Sequence, residues 1–182
     1  MKMHWFNEIF EGATQAIGSA YFNLPVFGGT SVLRERHYCY ELYHQLRSRW
    51  PQDEQKILSG EIDKAAHHHL KGLIGSEPIP DFLIHIPDTM TNDTVIEVKS
   101  ATFSHTGVKK DLVNLSRFTL NAGYERAIFL LFGPDISEDL IEKISKNYND
   151  LLKDGTALGN IEFWIHGDCG EQAIYLRTLA PS

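Results

Sequence analysis

Asp81, Glu97 and Lys99, two carboxylates and an amine near the middle of the chain, are the residues whose types and spacing point most directly to chemistry. Asp81 follows Pro80 at the start of one apolar run, and Glu97 and Lys99 close the next, Val95-Ile96-Glu97-Val98-Lys99. Strand side chains alternate between faces, so Asp81, Leu83 and His85 share one side of the first run, opposite Phe82, Ile84 and Ile86. In the second run Val95, Glu97 and Lys99 share a face, opposite Ile96 and Val98. Pro87, Asp88, Thr89, Thr91, Asn92 and Asp93 are turn formers, which predicts an antiparallel hairpin that brings Asp81 towards Glu97 and Lys99. Two converging carboxylates suit Mg²⁺, with Mn²⁺ as a substitute, because such an ion prefers oxygen ligands, keeps several waters and takes phosphate oxygens from a substrate. A lysine two residues beyond a ligand shares its face, where it can orient the attacking water or offset charge building on a phosphoryl group. Taken alone, Glu-x-Lys is also the wet side of an ordinary amphipathic strand.

The whole pattern is more specific. Pro-Asp opening a strand and Glu-x-Lys closing the next resembles the signature of the PD-(D/E)xK nuclease superfamily. The resemblance implies a restriction-endonuclease-like α/β fold: an αβββαβ core with a central mixed sheet flanked by helices. It implies a metal at Asp81, Glu97 and Val98, with Lys99 assisting hydrolysis of a phosphodiester, DNA before RNA. In that superfamily the first core helix often carries a further glutamate, and Glu35 fits that place. An acid on the first core strand sometimes joins the site, which makes Glu61 an additional candidate. The helix after the motif often borders the substrate groove, and Asp111-x-x-x-Leu115 resembles it.

The elements needed to position these groups can be read along the chain. Trp5, Ile9, Phe10, Ala13 and Ile17 predict an amphipathic helix over residues 3 to about 20, an N-terminal helical arm within residues 1–30. Ser31 is placed to cap a helix over about 32–50 that ends at Pro51. Tyr38, Leu42, Leu46 and Trp50 form its stripe, and at about 100° per residue Glu35 falls under Leu42 on that side while Glu41 lies near its margin. An acid in the first helical turn is also favoured by the helix dipole alone, facing water. Leu58 to Ala65 predicts a strand with Glu61 and Asp63 on one face. His67-His68-His69 do not converge on either a helix or a strand, so a solvated loop accounts for them better than a metal site does.

After a loop from Ser100 to Gly107, a helix is expected from about Val108 to Ala122, with Leu112, Leu115 and Phe118 inward. Lys109, Lys110 and Arg117 make it basic and are the candidate phosphate contacts, although lysines at a helix start are commonly plain surface. Arg126 to Gly133 reads as a strand buried on both faces, which closes the core at residues 31–133. Pro134 and Ser137 start a helix to about Lys153, and Ile161–His166 and Ala173–Leu179 supply two C-terminal strands, completing residues 134–182.

At 182 residues, 42% hydrophobic and 23% charged, the chain has the size and composition of one globular domain. A net charge of −7 excludes a general positive coat for nucleic acid but leaves room for a local basic groove. Two cysteines, Cys39 and Cys169, are too few for a disulfide framework or zinc site. No signal-peptide core or membrane span is evident, so a cytoplasmic location is expected. The expected activity is a Mg²⁺-dependent nuclease acting on DNA, with a homodimer and a protein partner for targeting left open. The competing reading is a noncatalytic nucleic-acid-binding or protein-interaction domain that keeps the same fold.

Overall fold

The computed structural model describes residues 4–61 and 79–181. Asp63 and the three histidines at 67–69 lie outside the described residues. The elements run α1 (Trp5–Gln15), α2 (Ser19–Phe22), α3 (Glu35–Ser48), β1 (Ile57–Gly60), β2 (Phe82–His85), β3 (Asn92–Ser100), α4 (His105–Asn121), β4 (Arg126–Phe132), α5 (Glu138–Lys153), β5 (Ile161–His166) and β6 (Ile174–Leu179). The six strands form one sheet in chain order. The β1–β2, β2–β3 and β5–β6 pairs are antiparallel, whereas β3–β4 and β4–β5 are parallel, each with a helix as its crossover. The chain is therefore an α/β protein with a mixed sheet flanked by helices.

Burial follows from that topology. All seven residues of β4 are buried, as expected of a strand with parallel neighbours and helices on both faces. Leu83, Val95, Phe129, Leu131 and Phe163 meet α4 and α5 on one face. Phe82, Ile84, Ile96, Val98, Ile128, Leu130 and Trp164 meet α1 and α3 on the other. The alternation expected for the two central runs holds for Phe82, Leu83, Ile84, Val95, Ile96 and Val98, whereas the register shifts between Ile84 and His85, where β2 ends. No helix among the described residues is long and apolar enough to cross a membrane.

Several boundaries differ from expectation, each for a physical reason. The arm helix stops at Gln15, and Gly18 then precedes the short helix α2. Helix α3 begins at Glu35, not residue 32, because Val32 is held extended by paired backbone bonds to Leu24, both 2.9 Å. Ser31 is therefore no cap; Arg34 occupies that place without a side-chain cap bond. Helix α4 starts earlier than expected, at His105, because Ser104 Oγ accepts from the Gly107 N–H at 3.3 Å. The strand expected over 58–65 ends at Gly60, where Glu61 takes a positive φ of 39°. Asn92 and Asp93 are not turn residues but the buried start of β3. Asn92 donates to the Ala122 carbonyl at 2.7 Å and Asp93 pairs with Lys56 at 3.1 Å, partners that outweigh local turn preference.

One glycine fixes the geometry above the strand ends. Gly133, at φ 139°, would place a Cβ within 2.8 Å of Leu33 and 2.9 Å of Ala101. Only a residue without Cβ lets the chain entering α3 pack against the chain leaving β3. That approach brings Glu35 to the end of β3.

Candidate metal and phosphate site

The two antiparallel strands deliver the first pair of acids. Because Phe82 pairs with Ile96, continuing the register by one residue sets Asp81 across from Glu97. Strand β2 has ended there, so the Val98 N–H is free of a ladder partner on that side and donates to Asp81 Oδ2 at 2.7 Å. The Val98 side chain is in the core, leaving only its backbone to serve a ligand; a strand residue's carbonyl leaves on the same side as its N–H. Glu97 is 7% exposed, and its carboxyl lies close enough to Asp81 to hydrogen-bond with it.

Burial and mutual repulsion dominate these acids. Burial pushes the Asp81 carboxyl up to about 6, against the opposing help of the Val98 N–H and Lys99. Burial first, and then Asp81 and Asp111, push Glu97 well above the ordinary carboxylate range. Two such groups hold a proton between them more readily than two charges.

Lys99 is arranged differently. Its Nζ stands 3.2 Å from Glu35 Oε2 and 3.0 Å from Asp111 Oδ2. Burial lowers its pKa, but the Asp111 and Glu35 carboxylates more than reverse this, so the amine stays protonated above the ordinary lysine range. Glu35 also accepts from Ser100 through both the backbone N–H, 3.1 Å, and Oγ, 3.2 Å. The first turn of α3 is thereby tied to the end of β3, and Glu35 faces the cluster as expected. Glu41, the alternative, instead accepts from Gln45 one turn along its own helix at 2.7 Å.

Asp111 is the member that sequence reasoning did not assign to the site. It is buried on α4, and burial raises its pKa while Lys99 opposes the rise. The signal was present: Asp111 lies on the helical face of Leu115 and Phe118, so an acid on an apolar stripe needed a partner, as Glu35 did.

The remaining candidates sit around this cluster. Glu61 is at the rim of a cleft of roughly 320 Å³ shared with Asp81, and its carboxylate pairs with Arg36 at 3.2 Å. Lys109, Lys110 and Arg117 line a separate groove of roughly 300 Å³ along α4. Lys110 adjoins Asp111, and its charge acts on that carboxylate. Among the described residues no group of three or more His, Cys, Asp and Glu side chains is set to hold a metal ion. Asp81, Glu97 and the Val98 carbonyl would together suit a cation that keeps most of its waters and not one that needs an all-protein cage.

Comparison with known proteins finds no matching family model, no matching curated protein and no matching solved structure.

Proposed function

We propose that the chain is a metal-dependent nuclease of the PD-(D/E)xK type, with a restriction-endonuclease-like core, hydrolysing phosphodiester bonds of DNA. The observation that carries the reading is the joint placement of a buried acid pair, Asp81 and Glu97, beside an ammonium held protonated by two further acids. A strand pair needs no such cluster for stability, since buried like charges oppose folding. Asp81 and Glu97 would hold Mg²⁺ or Mn²⁺, with the Val98 carbonyl as a third oxygen. The ion would supply charge neutralisation and an acidified water.

The chain's own groups divide the remaining work. Lys99, already protonated, is a donor and not a base, suited to a non-bridging phosphate oxygen as negative charge grows there. Glu35 and Asp111 fix its position. In the hydrolysis, water oxygen bonds to phosphorus as it gives up one proton to solvent, the ester P–O bond breaks, and the leaving oxygen takes up one proton from solvent, so protons balance overall. Lys109, Lys110 and Arg117 offer phosphate contacts that set position without reading sequence. The net charge of −7 leaves the alternative of a noncatalytic binding domain with the same fold.

The test is incubation of single- and double-stranded DNA and RNA with Mg²⁺, Mn²⁺ or EDTA, using wild type and Asp81→Ala. Metal-dependent cleavage that EDTA and Asp81→Ala both abolish is expected. No cleavage of any substrate, together with unchanged calorimetric metal affinity in Asp81→Ala, refutes the proposal.

A further inference from the structure

The cleft that opens beside Asp81 is lined by neither Glu97, Lys99 nor Asp111. One wall is a turn of α3 carrying Tyr40 and Tyr43; the other is the end of β1 and start of β2, with Gly60, Glu61, Asp81 and Phe82. Its volume of roughly 320 Å³ is at the small end of the ~300–1,000 Å³ of ligand sites, room for one planar ring system with part of its attachment. Tyr43 is half-buried and lies nearly parallel to Phe82, 18° between planes at 6.4 Å, which fixes its orientation. Tyr40, on the same helix, is 60% exposed, an unusual solvent position for so large a ring beside a concave surface. Gly60 keeps the floor open: a Cβ there would meet Tyr43 at 3.5 Å and the Asp81 carbonyl at 3.7 Å, ordinary contacts, so a side chain would fit by occupying cleft space.

We infer that this cleft receives one unstacked base of the substrate, lying against Tyr40 next to the phosphate held at Asp81. The substrate class is then nucleic acid with an unpaired nucleotide at the cut position: a single strand, a flap or a frayed end. A base inside a continuous duplex is stacked on both faces and must first be extruded to enter, at a cost that a single strand does not bear. Aromatic faces receive any base, which suits a site without sequence preference, and Glu61 on the rim offers an acceptor to a base amine. The inference rests on the nuclease reading for the position of the phosphate.

The experiment uses the full chain with Ca²⁺ in place of Mg²⁺. Titrations use a single-stranded oligonucleotide bearing 2-aminopurine, moved through successive positions, and the matching blunt duplex. Tighter binding of the single strand is expected, with a change in 2-aminopurine fluorescence at one position only. Tyr40→Ala should weaken single-strand binding roughly five- to 150-fold, the range for one base–aromatic stack, while Tyr40→Phe restores it. Gly60→Val, which fills the cleft, should give a similar loss at unchanged melting temperature. Equal affinity of Tyr40→Ala and wild type, or preference for the blunt duplex, overturns the inference. A parallel Mg²⁺ assay separates it from the nuclease reading. Cleavage that persists unaltered in Tyr40→Ala refutes the cleft alone; Tyr40-dependent binding without cleavage by wild type refutes the nuclease reading and supports the cleft.

Discussion

Replacing Asp81 by Asn should make the metal-free protein more stable at neutral pH, the reverse of what loss of a buried polar charge usually does. Asp81 has an ordinary carboxylate pKa near 3.8 when unfolded and about 6 in the fold. An acid whose folded pKa is raised binds more protons folded than unfolded between those two values. Stability is therefore unaffected by this group below pH 4, falls as pH rises through 6, and stays reduced above it. A shift of about two units corresponds to about 3 kcal/mol at ~1.4 kcal/mol per unit. For a domain of this size ~2–4 °C accompanies each kcal/mol, so the change is roughly 6–12 °C in melting temperature.

Asn keeps the shape and leaves an oxygen to accept from the Val98 N–H, now 2.7 Å from Asp81 Oδ2. It also removes the Asp81 charge that helps raise Glu97, so the variant gains on both groups. Thermal unfolding in EDTA from pH 4 to 8 is the assay, read as the difference between wild type and Asp81→Asn because other carboxylates titrate in the same range. The curves should nearly coincide at pH 4 and separate through pH 6 with the variant higher. Adding Mg²⁺ or Mn²⁺ should then raise wild type and leave the variant behind. A variant that melts below wild type at pH 7.5 in EDTA would show that the acid pair is not strained, and the argument for a cation fails with it.

Lys99→Ala should lower turnover by at least a hundredfold while calorimetric metal affinity stays close to that of wild type, because the ammonium contacts Glu35 and Asp111 and is not a ligand; an equal loss of metal affinity would make its role structural. Lys109→Ala with Lys110→Ala should weaken binding of all sequences alike and flatten the salt dependence by about one counterion per residue, measured with Ca²⁺ at several salt concentrations. Unchanged affinity and slope would reduce the α4 groove to ordinary surface.

What the sequence made legible was whatever repeats over a short period. The alternation in 82–86 and 95–99 gave the faces of β2 and β3, and the stripe from Tyr38 to Leu46 gave α3 and the inward side that Glu35 shares. Four of the five clustered residues followed from those periods and the motif. The failures came where tertiary partners override local preference. Asn92 and Asp93 look like turn residues until Ala122 and Lys56 are placed beside them. The start of α3 is set by the Leu24–Val32 bridge and by Gly133, contacts with no local trace near Ser31. Asp111 was visible as an acid on an apolar stripe, but its partner Lys99 lies on another element, and only the fold supplies that pairing.

The contrast between two acids on β3 supports the proposal that the cluster serves a function beyond architecture. Asp93 is 3% exposed, even more buried than Glu97 at 7%. Around Asp93 every neighbour compensates: Lys56 at 3.1 Å, Thr94 Oγ1 donating at 2.6 Å, and the Trp5 indole N–H at 3.4 Å. Those groups join α1 and the start of β1 to the sheet, which is what a structural buried acid does. Glu97, four residues further along the same strand, faces Asp81 with Asp111 nearby, while the ion pairs of the nearest ammonium, Lys99, are with Glu35 and Asp111. An apolar residue at 97 would pack against α4 as Val95 does, at no electrostatic cost. A carboxyl where folding gains nothing from its charge is the group that the proposed cation would compensate.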